Sequence, residues 1–349
     1  MLTPGRWSTH EVHVPSSRAP RPLAGCAAVT LAPLLQRGPG RPTISFELFP
    51  PRSRDGEDTV RRTVSALADV CPDFFSVTYG ASGSTRGASL GLLAHVLAET
   101  PVAAVAHLTC VGASRREVVE TASAVLATGV RNVLALRGDP PAGAGPWRPH
   151  ADGVDRACDL VELLQVVERR RLALRGGSRP VDEGPLSLAV AAFPTSGAGA
   201  DLLALRAKQD AGADFAIAQV CYDAAEFAGF VARARAAGIT LPILPGIIPT
   251  TDPARLLRLQ QLTGVVVPRE LLARLESAQE HGDAARHREG VRLTRAFAQR
   301  LLDDGAPGLH LYTFNSHHAA LDVLEGLALG ARTAVPDERA ALAAGRGRR

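Results

Sequence analysis

Eight short runs of Val, Leu, Ile, Ala and Phe alternate with segments whose apolar residues recur at helical spacing. Polar residues stand at the C-terminal ends of most of these runs, where a barrel gathers its functional groups on one rim. No internal repeat, no G-x-G-x-x-G after the first run and no P-loop is present, which disfavours a doubly wound open sheet. Together these observations predict an α/β fold, a (β/α)8 or TIM barrel, as a single domain with flexible tails. With 349 residues and 46% hydrophobic content the chain has enough apolar material for a large core. The barrel is expected over 41–335, after a disordered extension over 1–40 that holds one short helix, and before a basic tail over 336–349.

Within the extension, 29–36 is expected to form that helix, packed below the barrel. The first strand lies in TISFELFPPR (43–52) and puts Ile44, Phe46 and Leu48 on one face, Ser45, Glu47 and Phe49 on the other. Pro50 and Pro51 supply no donor and stop the strand, so Glu47 falls near its C-terminal end. Taken alone, the segment fits either a functional acid or an ordinary carboxylate on a half-solvated edge. Spacing of Val60, Val64 and Leu67 marks a helix over 57–70, and FFSVT (74–78) is the second strand, ending at Tyr79. A helix over 90–97 leads to a third strand over 102–110. Ser114 and Glu117 form a capping box for the next helix, which Gly129 closes.

The fourth strand, 131–136, runs into Arg137, Gly138, Asp139 and a Pro/Gly loop. A helix over 155–170 is followed by an arginine-rich stretch to 184, read as a solvated insertion, and by the strand LSLAVAA (186–192). The second half reads as a helix over 200–211, a strand over 215–219, a helix over 224–237 and a strand over 241–245. Asp252 is an N-cap with Pro253 at the first helical position. Helices over 269–277 and 284–302, a strand over 309–313 and a helix over 319–329 complete the pattern.

The net charge of +4 resides in the tails. Arg6, Arg18, Arg21, Arg37 and Arg41 face only Glu11 at one end, and Arg339, Arg346, Arg348 and Arg349 outnumber Asp337 and Glu338 at the other. The body between is slightly acidic, which argues against a nucleic-acid partner. Five cysteines are widely spaced without metal-ligand spacing, and neither a signal-peptide core nor a membrane-length apolar run occurs. A cytoplasmic protein with no membrane partner and no metal is expected. His317 and His318 are adjacent at a helix start, diverge by about 100°, and are expected to be solvated.

The strand ends collect Glu47, Thr78 with Tyr79, His107, Arg137 with Asp139, Phe193, Gln219, and Tyr312 with Asn315. Such a set on one rim is a candidate functional site.

SFELFPPR, FFSVTYGA, AHLTC, NVLALRGDPP, AAFP, DLLALRAKQDAGADFAIAQ, LPGIIP and LHLYTFN, in this order over most of 43–330, resemble the flavin-dependent 5,10-methylenetetrahydrofolate reductases. The resemblance implies FAD as cofactor, NADH or NADPH as co-substrate, a reduced folate as small-molecule substrate, and a homo-oligomer. It further implies a ping-pong hydride relay that makes 5-methyltetrahydrofolate for methionine synthesis. By the same resemblance Glu47 matches the general acid, its inward face beside apolar neighbours being expected to favour the protonated form. Asp139 matches an aspartate beside flavin and pterin. Thr78, Tyr79, Ala81, His107, Arg137, Gly138, Ala157, Phe193, Asp201 and Lys208 match flavin-contacting positions, with Asp139. Gln219, Thr78 and Asp139 match folate-contacting ones. Lys208, the one lysine among 39 basic residues, falls where a phosphate contact is expected.

The chain also departs from the family pattern. After Phe193 the loop is short and lacks a histidine, and Ala204 and Ala207 stand where an asparagine and a basic residue help hold the cofactor. Arg255 replaces a substrate-contacting glutamine, Leu259 an aromatic, and Ser316 an arginine, so Arg255 is a candidate for the folate's glutamate tail. These departures keep a second expectation open: a flavin-deficient barrel acting as a folate-binding or complex-forming subunit.

Overall fold

A computed structural model describes residues 30–35, 41–79, 86–139, 150–180, 183–194 and 199–329. Eight strands close in sequence order, every neighbour parallel, with the last paired back on the first. They are β1 (Thr43–Leu48), β2 (Phe74–Val77), β3 (Ala103–Thr109), β4 (Asn132–Leu136), β5 (Ser187–Ala192), β6 (Phe215–Val220), β7 (Ile243–Ile247) and β8 (Gly308–Tyr312). Among the described residues the helices are α1 (Ala32–Leu35), α2 (Arg54–Ala68), α3 (Arg86–Glu99), α4 (Arg115–Ala127), α5 (Ala157–Leu174) and α6 (Gly199–Asp210). They continue with α7 (Ala224–Ala236), α8 (Pro253–Thr263), α9 (Arg269–Gln279), α10 (Asp283–Asp303) and α11 (His318–Glu325). The (β/α)8 barrel expected from the sequence is therefore the observed fold, and β1 is an interior strand paired on both sides, not a half-solvated edge.

Alternation along the strands builds two apolar layers. Outward residues such as Ile44, Phe46, Val133 and Val190 pack with the inner faces of the helices. Inward residues Phe74, Val105, Leu134, Ala189, Phe215, Ile217 and Leu244 fill the lower barrel together with Leu31 and Leu35. The helix expected below the barrel is α1, and it closes the floor: Leu31 is fully buried and its N–H donates to Asn132 Oδ1 at 3.0 Å. Two helices, α8 and α9, stand between β7 and α10, and their buried faces form a side cluster with Val220, Ile248, Tyr312 and Phe314. That cluster raises one wall above the strand ends.

The capping signals hold. Ser114 and Glu117 form the capping box of α4, and Asp252 accepts from the Arg255 N–H at the start of α8, with Pro253 in the first turn. β7 begins two residues later than expected and contains Pro245 instead of ending there. Proline gives the ladder no donor, and the β6–β7 register shifts between Ile217 and Val220 at this level. Gly246 beside it is obligatory, because a Cβ there would come 2.7 Å from the Tyr312 ring.

The arginine-rich stretch after α5 is exposed over 173–178, as expected of a solvated insertion, but it is anchored at its ends. Its Glu183 sits 2.8 Å from Arg131 Nη1 and also pairs with Arg171, while Arg171 Nε is 2.8 Å from Glu168 Oε2. Arg175 and Arg179 add outer contacts at 3.2 and 3.5 Å. Arg131 and Glu168 are both buried. Charge buried there faces opposite charge. Among the described residues no helix is long and apolar enough to cross a membrane.

Candidate functional site

A cavity of about 930 Å³ opens at the C-terminal ends of the strands. Glu47 from β1, Thr78 after β2, His107 from β3 and Gln219 from β6 line it. So do Arg137, Gly138 and Asp139 after β4, Ala157 at the start of α5, Phe193 after β5, and Asp201 and Lys208 from α6. Tyr79 is half-buried and does not line the cavity, and Ala81 lies outside the described residues. Ala204, Ala207 and Leu259, three of the departures from the family pattern, also face the cavity.

Asn315 corrects the rim read from sequence. Its amide accepts from the Phe49 N–H at 2.8 Å and donates to the Phe49 carbonyl at 2.9 Å, so it ties the end of β1 to the end of β8. It sets the wall, while Phe49 and Phe314, stacked at 5.6 Å, present that wall to the cavity. Arg255 likewise stands outside the lining: its guanidinium lies 5.4 Å over the Phe314 ring and 3.8 Å from Asp252. His317 and His318 stack on each other at 4.0 Å, and among the described residues no cluster of metal ligands occurs.

The turn after β4 is fixed by its backbone. Gly138 adopts φ +85°, and a Cβ there would come 2.6 Å from Val111 Cγ1, so only glycine fits. The Val111 N–H donates to the Arg137 carbonyl at 2.8 Å, joining this turn to the end of β3. Arg137 and Asp139 are thereby aimed at the cavity from a rigid corner.

Glu47 is not surrounded by apolar neighbours as expected. His107 Nε2 is 3.7 Å and His310 Nε2 3.9 Å from its Oε2. Burial pushes the His107 imidazole down to about 4, against the opposing pull of Glu47. His107 is thus a neutral ring at physiological pH, and among the described residues its buried Nε2 has no hydrogen-bond partner. Tyr312, whose hydroxyl donates to the Ala218 carbonyl at 3.2 Å, is raised well above the usual phenol value by burial.

Lys208 is buried, and burial pulls its ammonium below the usual lysine value. Nζ donates to the Ala191 carbonyl at 2.8 Å and lies 5.5 Å over the Phe193 ring. Among the described residues that carbonyl is its hydrogen-bond acceptor, and an ammonium carries three donors. A desolvated cation with spare donors, an orphaned imidazole nitrogen and the Gly138 corner suit a group with an anionic part and a polar planar part. FAD fits that description, and Lys208, Arg137, His107 and Thr78 would hold it.

Sequence reading missed Cys158, Arg156 and Leu203 in the lining, and also His310 beneath Glu47. The first three come from helix starts and helix faces, which the strand-end reading did not reach. His310 was legible as the inward residue two before Tyr312 in LHLY.

A model of the methylenetetrahydrofolate reductase family matches residues 34–328. A 5,10-methylenetetrahydrofolate reductase from Pectobacterium carotovorum subsp. carotovorum is 33% identical over 281 residues, covering 79% of this chain and 87% of the relative. A probable methylenetetrahydrofolate reductase (NADH) from Oryza sativa subsp. japonica is 32% identical over 290 residues, 83% of this chain and 49% of the relative. The chain thus spans about half the length of the plant relatives it matches. Among solved structures, a protein from Clostridium thermocellum that binds two copies of 5-methyl-5,6,7,8-tetrahydrofolic acid shares the fold. Its TM-score is 0.52 at 12% identity, over 83% of this chain and 94% of that one. By the span of the family match and the 33% identity to a bacterial relative of which it covers 87%, the chain belongs to the methylenetetrahydrofolate reductase family.

Proposed function

We propose that this barrel reduces 5,10-methylenetetrahydrofolate to 5-methyltetrahydrofolate in the cytoplasm, with FAD as cofactor and NADH or NADPH as electron source, feeding methionine synthesis. The observation that carries the reading is the convergence of Glu47, Asp139 and Gln219 on one cavity that also holds a buried lysine with spare donors. When bound, FAD supplies the two-electron relay between nicotinamide and one-carbon unit, the two substrates using the cavity in turn.

The residues supply what that relay lacks. The methylene bridge of the folate opens to an electrophilic iminium only when a proton reaches the departing nitrogen, and Glu47 is the acid that delivers it. His107, neutral because burial holds it near 4, does not compete for that proton. Asp139 brings a negative charge to the cation that develops as the bridge opens. Gln219 accepts from the Val220 N–H at 2.9 Å, which fixes its amide and leaves the NH2 for the pterin. Arg137 and Lys208 would hold the phosphates of bound FAD, and Ala157, Phe193 and Asp201 line the same cavity. Arg255 reaches the glutamate tail from outside the wall built by Phe314.

The test is formation of 5-methyltetrahydrofolate from methylenetetrahydrofolate, assayed with NADH and with NADPH, each with and without added FAD. Turnover with one or both nicotinamides supports the reading. Folate binding without turnover under any of these conditions would replace it with the flavin-deficient, folate-binding or complex-forming subunit. If Arg255→Ala left the Michaelis constant for the folate unchanged, the role given to Arg255 would be wrong.

A further inference from the structure

Beneath Glu47 the barrel interior contains a polar chain that the proposed reaction does not use. His310 is fully buried, directly opposite Ser45 in the β1–β8 pairing, and Ser76 is directly opposite Glu47 in the β1–β2 pairing. Its ring is stacked on Phe74 at 5.9 Å and meets Tyr312 edge-on at 5.4 Å, so packing fixes its plane. Both nitrogens have polar neighbours: Nδ1 lies 2.8 Å from Ser45 Oγ, and Nε2 lies 3.4 Å from Ser76 Oγ and 3.9 Å from Glu47 Oε2.

The hydrogen-bond inventory assigns the ring proton. Ser45 has one hydroxyl proton, and the Leu309 carbonyl, 3.2 Å away, can only accept it. We assign that proton to the Leu309 carbonyl, so that Ser45 Oγ accepts and His310 donates from Nδ1. Nε2 is then an acceptor, with Ser76 Oγ at 3.4 Å and Glu47 Oε2 at 3.9 Å around it. A carboxylate oxygen facing a lone pair is repelled, whereas a carboxyl O–H facing it finds an acceptor.

We propose that His310, held by Ser45, is a positioning residue for Glu47: it presents an acceptor to the carboxyl from the dry side and so keeps the acid loaded until the folate nitrogen takes its proton. The proposal rests on the reductase reading above and deepens it. Proton balance is simple, since one proton leaves Glu47 for the departing nitrogen and one returns to Glu47 through the cavity before the next cycle; His310 neither gains nor loses one. Among the described residues, the titratable groups facing His310 are Glu47 from β1, His107 from β3 and Tyr312 on its own strand. Its other neighbours are uncharged, Ser76 and Phe74 on β2 and Gly246 on β7.

The test uses the full chain loaded with FAD and follows the two half-reactions against pH. His310→Asn keeps the Ser45 hydrogen bond but withdraws the group that faces Glu47, and His310→Gln restores a polar group at the Nε2 position. The expected result for His310→Asn is a folate half-reaction about tenfold slower at pH 7.5, with its alkaline limb moved to lower pH and the nicotinamide half-reaction unchanged. His310→Gln should recover most of the rate. Ser45→Ala, which frees the ring to take the other tautomer, should move the same limb in the same direction and serves if the His310 variants do not fold. Unmoved alkaline limbs in every variant that folds, beside an active wild-type enzyme, would overturn the proposal. An inactive wild-type enzyme would instead remove the reading on which it rests.

Discussion

At the lower end of the barrel, Arg131 and Arg171 are enclosed with Glu168 and Glu183, each charge facing its opposite within 4 Å. At the upper end Lys208 is also buried, with the Ala191 carbonyl as its hydrogen-bond acceptor among the described residues, and His107 Nε2 lies 3.7 Å from Glu47 without a hydrogen bond among them. Both ends place polar groups where water is scarce. Below, opposite charges face them, although Arg131 Nε has no hydrogen-bond partner among the described residues, and α1 seals the floor with Leu31 and Leu35. Above, a cavity of about 930 Å³ lies beside them. Desolvation without compensation is costly, so the buried Lys208 and His107 beside a cavity point to a ligand that completes the structure there.

Variants can break or sharpen that contrast. The largest effect is expected from Glu47→Gln, which should slow the folate half-reaction about 100- to 10,000-fold and leave the nicotinamide half-reaction intact. Loss of both half-reactions would give Glu47 a lower-end role, that of a structural group. Glu168→Gln removes one partner of a buried set and should lower unfolding stability by about 3–5 kcal/mol, read in denaturant, without changing the affinity for FAD.

His107 gives a smaller effect with a definite sign. Its folded value of about 4 lies below the ordinary 6.5, so between these pH values the unfolded chain binds a proton that the native chain does not. Stability should therefore be intact above pH 6.5 and fall by about 3 kcal/mol as the pH drops toward 4, and His107→Gln should flatten that slope. Lys208→Met should weaken FAD binding about tenfold, the loss of one charge-assisted hydrogen bond, while leaving the melting temperature of the apoprotein unchanged or higher. A lower melting temperature with unchanged FAD affinity would assign Lys208 to the structural kind of charge found below.

The upper end was the more legible in the sequence because its logic is local. Glu47 before Pro50, Asp139 after Gly138 and Gln219 at the end of its strand each stand out from the apolar run that carries them. Capping residues such as Ser114 and Asp252 were readable for the same reason. The lower network was not, because Arg131 meets Glu183 only once the barrel has closed, and a run of arginines looks the same whether solvated or paired. Asn315 misled because a polar residue at a strand end can face the cavity or brace the backbone beside it, and only the Phe49 contacts distinguish the two. His310 was overlooked because reading strand ends stops one inward residue too early.

The most direct measurement is an anaerobic absorbance scan of the purified protein supplied with FAD. The predicted result is a bound flavin spectrum that bleaches with NADH or NADPH and returns on addition of 5,10-methylenetetrahydrofolate. A protein that stays colourless and takes up no FAD would contradict the assignment of the upper cavity.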